Sequence, residues 1–360
     1  MNDNMLKVLA VADPAVMVYT DKKLDILKNF KYKVQFDVFP WEKYYSTMLD
    51  VFNGKAYYDI VMVAGHLWKR DFIEKNYIQP IEFEDEDILP AIVQEMKYNG
   101  KTYLSPSFCD GHMIVYRKSL TEKRFDKVIT PEEYADFAKN HIIAMKAHPS
   151  EIFTDALPFL RMNGQDVYNE NHKAICASES IVKGLEVYCG LKKCSLDNTK
   201  TFGNGEIAEI LRNKKVAAAV TWSGQLGTVL NESCIEPDDL AFSTFSTAWN
   251  VTWAFAVSSS CKNQTEANEL LRFLRSPEID ALAGSLSGAP VRKQSYLNGM
   301  KKYPWYECQL KMIENAKPLP DMTSAGDKNG IFYEEIANAF SGKKTPLQAM
   351  TDAEERINKI

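Results

Sequence analysis

The sequence predicts an α/β protein of two Rossmann-like lobes, on three observations. Short apolar runs, "LKVLAVA" (6–12), "VQFDVF" (34–39) and "DIVMV" (59–63), are separated by segments of helical period, the rhythm of a parallel sheet. The chain has 360 residues, 45% of them apolar, which is long for one compact core. Two further strands, in "HMIVYRKSL" (112–120) and "VTWAFAVSSS" (251–260), are placed where a chain would leave the first lobe and return to it. The expected lobes are therefore discontinuous: 1–112 with 252–298, and 113–251 with 299–360. Short strands would serve as the hinges between them.

Taken in order, the elements have local causes. "WEKYYSTMLDVFN" sets Trp41, Tyr45, Met48, Leu49 and Phe52 on one helical stripe, expected to face the core. The acidic run "EFEDEDILP" (82–90) reads as a solvated turn before a helix. "ITPEEYADFAKN" opens a helix with Thr130 as N-cap, Pro131 in the first turn and Glu133 completing a capping box. "NQTEANELLRFLRSPEIDALAG" gives two helices, broken at Ser276-Pro277 and ended by Gly284.

Composition excludes several functions. A net charge of -5 without long like-charged blocks offers nothing to hold a nucleic acid. The opening "MNDNMLKVLAVAD" is too short in apolar residues for a signal peptide, and no segment approaches the roughly 18 apolar residues of a membrane span. Seven cysteines without a Cys-x-x-Cys pair suit a reducing or anaerobic setting, and the scattered histidines predict no metal site. No cofactor is expected: "GNGEIA" (203–208) fits a relaxed dinucleotide pattern but follows "NTKTF" rather than a buried strand. Metalloprotease, nucleophile-elbow and P-loop signatures are missing.

Ligands gather beyond the carboxyl ends of parallel strands, where loops and helix N-termini meet. "YYDIVMVAGHLW" (57–68) ends at such a rim with Gly65, His66 and Trp68, and "VAAAVTWSGQLG" runs from a strand (216–221) into Trp222, Ser223, Gly224 and Gln225. Trp249 and Asn250 precede the returning strand, and "SPSFCDGHM" brings Phe108, Asp110 and His112 to the first crossing. The mixture suits a sugar, whose C–H face stacks on indole while its hydroxyls need oriented polar groups. At roughly 25 cal/mol per Å2, one covered ring face contributes on the order of 1–2 kcal/mol. The competing reading for any one tryptophan is packing, strongest for Trp253 in its strand and Trp41 on its stripe.

Several phrases, in order, resemble the extracellular solute-binding proteins of sugar-importing ABC transporters, family 1, the maltodextrin-binding type. They are "YYDIVMVAGHLWKRDFIEKNYIQPIE", "NGKTYLSPSFCDGHMIVYRKSL", "ITPEEYADFAK", "GEIAEILRNKKVAAAVTWSGQLG", "SCKNQTEANELLRFLRSPE" and "LSGAPVRKQSY". The resemblance implies the type II periplasmic-binding-protein fold, with a C-terminal helical part on the second lobe. It implies carbohydrate capture between lobes that close, delivery to permease subunits, and a monomer at the cell surface or in the periplasm. By motif, Asp13, His66, Asp110 and Arg292 are its cleft-lining residues, and Trp222 and Trp249 its aromatic contacts. Trp68, Gln225 and Asn250 complete the expected set, with no catalytic residue. The family normally begins with a leader, often ending in a lipoprotein cysteine, which is not read in the opening residues here, and it rarely carries so many cysteines; a leader trimmed from an exported protein of an anaerobic setting is the expected explanation. A cytoplasmic sugar sensor, a receptor for an organic anion using Arg292 and His66, and a glycosidase using Asp110 with Asp155 are the alternatives.

Overall fold

The computed structural model describes residues 5–84, 87–121 and 125–360. Asp85 and Glu86 of the acidic run and the first four residues of the opening segment lie outside them. Among the described residues no helix is long and apolar enough to cross a membrane. The chain divides into two compact units, Met1–Asp110 with Val251–Tyr303, and Gly111–Asn250 with Pro304–Ile360.

The first unit is built on β1 (Met5–Val11), β2 (Lys33–Phe39) and β3 (Ile60–Ala64). All three are parallel, in the order β2-β1-β3. Every residue of β3 is buried, as its unbroken apolar run requires of a central parallel strand. A short β4 (Ile78–Gln79) and a two-stranded hairpin, β5 (Lys97–Tyr98) with β6 (Lys101–Thr102), follow. β7 (Ser105–Arg117) then carries the chain out of this unit.

Tyr44 locks the sheet to the Trp41–Phe52 helix. Its hydroxyl lies 3.0 Å from the Leu9 carbonyl and 2.8 Å from that of Met62, and accepts the Met62 N–H. The buried stripe of that helix is Tyr44, Met48 and Val51, which shares Met48 with the expected one but is otherwise rotated by one position. Trp41 and Tyr45, expected in the core, are 44% and 42% exposed. Periodicity located the helix but misjudged its rotation, because the Tyr44 hydroxyl bonds the backbone of β1 and β3 and turns that side chain inward.

The second unit continues with β8 (Val128–Ile129), β9 (Ile143–Ala144), β10 (Ala218–Trp222) and β11 (Leu240–Phe245). Pairing gives the order β9-β10-β7-β11-β8, with β7 antiparallel to both neighbours. The helix Pro131–Ala138 opens on the expected box: Thr130 Oγ1 accepts the Glu133 N–H at 3.1 Å and Glu133 accepts that of Thr130 at 2.8 Å. The helices Ala325–Phe340 and Pro346–Ile357 belong to this unit, where Phe332 stacks on Phe153 at 4.7 Å.

β12 (Asn250–Ser258) returns the chain to the first unit and runs antiparallel to β3. The helices Gln264–Leu274 and Pro277–Ser287 follow. The second ends at Gly288, whose φ of 100° is the left-handed cap, so Gly284 lies inside the helix rather than after it. Asp280, buried on that helix, accepts the backbone N–H groups of Val291 and Arg292 at 2.8 and 3.2 Å and ties down the "LSGAPVRKQSY" segment.

Candidate ligand-binding site

In the first unit the carboxyl ends of the parallel strands form a row. The register pairs Val11 with Phe39 and Val8 with Ile60; carried past the strand ends, it sets Asp13 level with Trp41 on one side and Gly65 on the other. Asp13 caps the turn that follows β1 by accepting the Ala15 N–H at 2.8 Å. Burial, and then the charge of Asp110, push its carboxyl up to about 8. His66 opens the Gly65–Glu74 helix; burial pushes its imidazole down to about 3 and keeps it neutral.

Trp68 and Arg292 take different places from those expected of ligand contacts. Trp68 is 6% exposed, lying under Trp41 and Tyr45 in an aromatic stack. Arg292 is 5% exposed: Nε and Nη2 donate to the Arg275 carbonyl at 2.9 and 2.6 Å, and Nη1 lies 3.5 Å from Asp87. Its charge anchors a loop. Asp59, before β3, accepts the Lys7 N–H at 3.0 Å and the Tyr57 hydroxyl at 2.6 Å, a structural use of a buried carboxylate.

The second unit gathers its own polar and aromatic cluster at the ends of β9 and β10. Trp222 closes β10 directly opposite His112 of β7, and their rings lie 4.3 Å apart. Trp249 meets Trp222 edge-on at 5.4 Å and His112 at 6.0 Å, but is itself fully buried, as is the neighbouring Asn250. Gln225 is half-buried at the end of the turn after Trp222.

Two residues that the sequence reading passed over organise this cluster. Lys146 follows β9, is wholly buried, and places its ammonium 3.3 Å from His112 Nε2, 3.4 Å from Glu151 Oε2 and 4.5 Å over the Trp222 ring. The same Glu151 oxygen accepts the Trp222 Nε1–H at 2.9 Å, fixing the indole. Burial, helped by Lys146, holds His112 well below its ordinary pKa. The signal for both was "HIIAMKAHPSE" (141–151), in which a short apolar run meets Lys146 just past a strand and Glu151 follows five residues on.

Asp155 lies deeper, accepting the Tyr188 hydroxyl at 3.0 Å, and burial pushes it up to about 7. "GNGEIA" enters the helix Asn204–Arg212 from a 3-10 turn rather than a strand, and Glu206 already accepts the Gly203 N–H at 2.9 Å. That loop is closed by its own carboxylate.

Residues 25–307 match the family of bacterial extracellular solute-binding proteins. The chain belongs to this family. Solved structures similar to this solute-binding protein cover nearly its whole length. A maltose-bound MalE3 of Thermotoga maritima superimposes with a TM-score of 0.88 at 18% identity, covering 99% of each chain. An ABC transporter solute-binding protein of Thermotoga lettingae, bound with α-D-tagatose, gives 0.85 at 17%, again over 99% of each chain. The GacH receptor of Streptomyces glaucescens, studied unliganded and with acarbose, gives 0.85 at 17%, over 99% of this chain and 97% of that one. The fold is thus the type II periplasmic-binding-protein arrangement expected from the motifs. Within it, each unit of this solute-binding protein offers flat aromatic surface beside neutral or paired polar groups. Such a set can stack a ring and bond its hydroxyls.

Proposed function

We propose that this chain is the substrate-binding receptor of an ABC importer, and that it captures a carbohydrate, an oligosaccharide in preference to a single sugar. The observation that carries the reading is the half-buried Trp222 indole, pinned through its N–H by Glu151 and backed by Lys146. A ring so fixed loses little freedom when a pyranose stacks on it, and the adjacent carboxylate can accept hydroxyl protons. Family membership and similar proteins bound to maltose, tagatose and acarbose support the same class of ligand.

The receptor binds without turning its ligand over. The carboxyl group required of Asp155 in a hydrolase is committed to Tyr188 in the interior of its unit. An organic anion is disfavoured because Arg292 spends its guanidinium on Arg275 and Asp87. Action on the outer side of the membrane as a monomer, and delivery to permease subunits by closure of the two units, belong to the same proposal.

Isothermal titration against maltose, maltotetraose, tagatose, mannitol, ribitol and small organic acids tests it. Binding of at least one sugar, with no product formed on long incubation, is expected. Binding of an acid alone, or release of a shorter sugar, would overturn the reading.

A further inference from the structure

The rim of the first unit carries an exposed aromatic surface that the motif-based site leaves out. Trp41 stacks on Trp68 with ring centroids 5.6 Å and planes 22° apart, and Tyr45 stacks on the same indole at 5.2 Å. Trp253, which pairs with Ala64 at the end of β3, meets Trp41 edge-on at 5.9 Å and Trp68 at 6.1 Å. Phe108 stacks behind Trp253 at 6.3 Å. Trp41 is therefore held by aromatic neighbours on its inner side while 44% of its surface meets solvent.

A lone exposed indole is ordinary. This one is different in position. The strand register puts Trp41, Asp13 and Gly65 in one row across the ends of three adjacent parallel strands, with His66 next to Gly65. The row lies where parallel sheets collect ligands. It sets a rigid flat face level with a carboxyl group that burial raises and beside an imidazole that burial keeps neutral. That combination matches one pyranose ring, apolar on its C–H face and polar at its rim.

We infer that Trp41, backed by Trp68 and flanked by Tyr45, is the stacking platform for a pyranose ring in the first unit, and that it selects ring-shaped over open-chain ligands. The inference rests on the carbohydrate reading and adds to it a residue outside the motifs that suggested that reading.

Wild type, Trp41→Ala, Trp41→Phe and Trp222→Ala are titrated with maltose, maltotetraose and mannitol, with thermal unfolding as a folding control. Loss of one stacked ring face is expected to weaken oligosaccharide binding about tenfold in Trp41→Ala and about threefold in Trp41→Phe. The open-chain mannitol has no such face and is expected to lose less than twofold, about 0.4 kcal/mol. In a parallel readout, the sugar shields part of the wild-type emission from acrylamide, and the share of this shielding that belongs to Trp41 is lost in Trp41→Phe, leaving that of Trp222, even where the alanine variant fails to fold. Unchanged oligosaccharide affinity and unchanged shielding in Trp41→Phe, with Trp222→Ala impaired, would overturn the inference and leave the receptor reading standing. Absence of sugar binding in wild type would overturn both.

Discussion

Trp222, Glu151 and Lys146 show how a buried charge can serve a surface that binds. The Lys146 ammonium is balanced by Glu151, and the carboxylate in turn orients Trp222. Replacing Lys146 by Met is expected to destabilise the fold by about 3 kcal/mol, because a half-buried carboxylate loses its partner. Sugar affinity falls with it as the indole loosens; chemical denaturation and calorimetric titration read the two effects separately. Arg292 predicts the opposite split. Arg292→Ala removes hydrogen bonds to the Arg275 carbonyl and the ion pair with Asp87, and is expected to cost about 2 kcal/mol of stability with little change in affinity for a neutral sugar. A loss of affinity larger than the loss of stability would return Arg292 to the ligand. The sequence showed the tryptophan and the arginine equally plainly as residues near a turn. Their different uses depend on partners such as Arg275 and Glu151, 17 and 71 positions away.

At the scale of elements, local chemistry decides where helices begin, and close approach decides where they pack. The Thr130–Glu133 box forms as its spacing requires, since both partners lie within one turn. Gly184 is a case that spacing does not reveal. It lies inside the helix Glu179–Gly190, and a Cβ there would be built onto the Phe159 carbonyl at the end of the helix Ile152–Leu160. Gly184→Ala would gain helix propensity worth up to about 1 kcal/mol, yet is expected to lose stability by at least 2 kcal/mol as the two helices are forced apart. A thermal melt checks the sign, which propensity alone would give as stabilising. The rotation of the Trp41–Phe52 helix teaches the same point. Its apolar residues allow two neighbouring stripes, and the hydroxyl of Tyr44, answered by Leu9 and Met62, chooses between them. Exposure of Trp41 and Tyr45 follows from that choice.

The whole molecule responds to pH through groups that desolvation keeps neutral, Asp155 and His112 in the interior and Asp13 and His66 at the partly buried rim. The carboxyl groups of Asp155 and Asp13, raised by burial from 3.8 to about 7 and about 8, contribute stability that is complete below 3.8 and lost as pH rises through those values. His66 and His112, lowered by burial from 6.5, contribute stability that is present above 6.5 and lost as pH falls. Above pH 6.5 only the carboxyl groups act in this set, so the melting temperature is expected to fall between pH 6.5 and 8. Asp155→Asn, which needs no proton to stay neutral, is expected to flatten that decline; an unchanged slope would show that Asp155 ionises freely. Ligand acts by mass action on the same equilibrium. A sugar at 100 times its Kd is expected to stabilise the chain by about 2.7 kcal/mol, and a titration of melting temperature against sugar concentration measures it.

The sequence by itself determined the alternation of parallel strands and helices, the helix starts marked by caps, and the strand ends at which aromatic and polar residues accumulate. Apolar period, capping and the order of motifs act over a few residues or over whole segments, so they are legible without contacts. Only the tertiary structure decided which of those aromatic residues stand at the surface and which support them. Trp68, offered as a contact, became the floor under Trp41, and Trp41, assigned to the core, became the exposed ring. Lys146 and Glu151 acquired their roles in the same way. A buried charge or hydroxyl must find its partner wherever packing brings one, and that partner lies far along the chain.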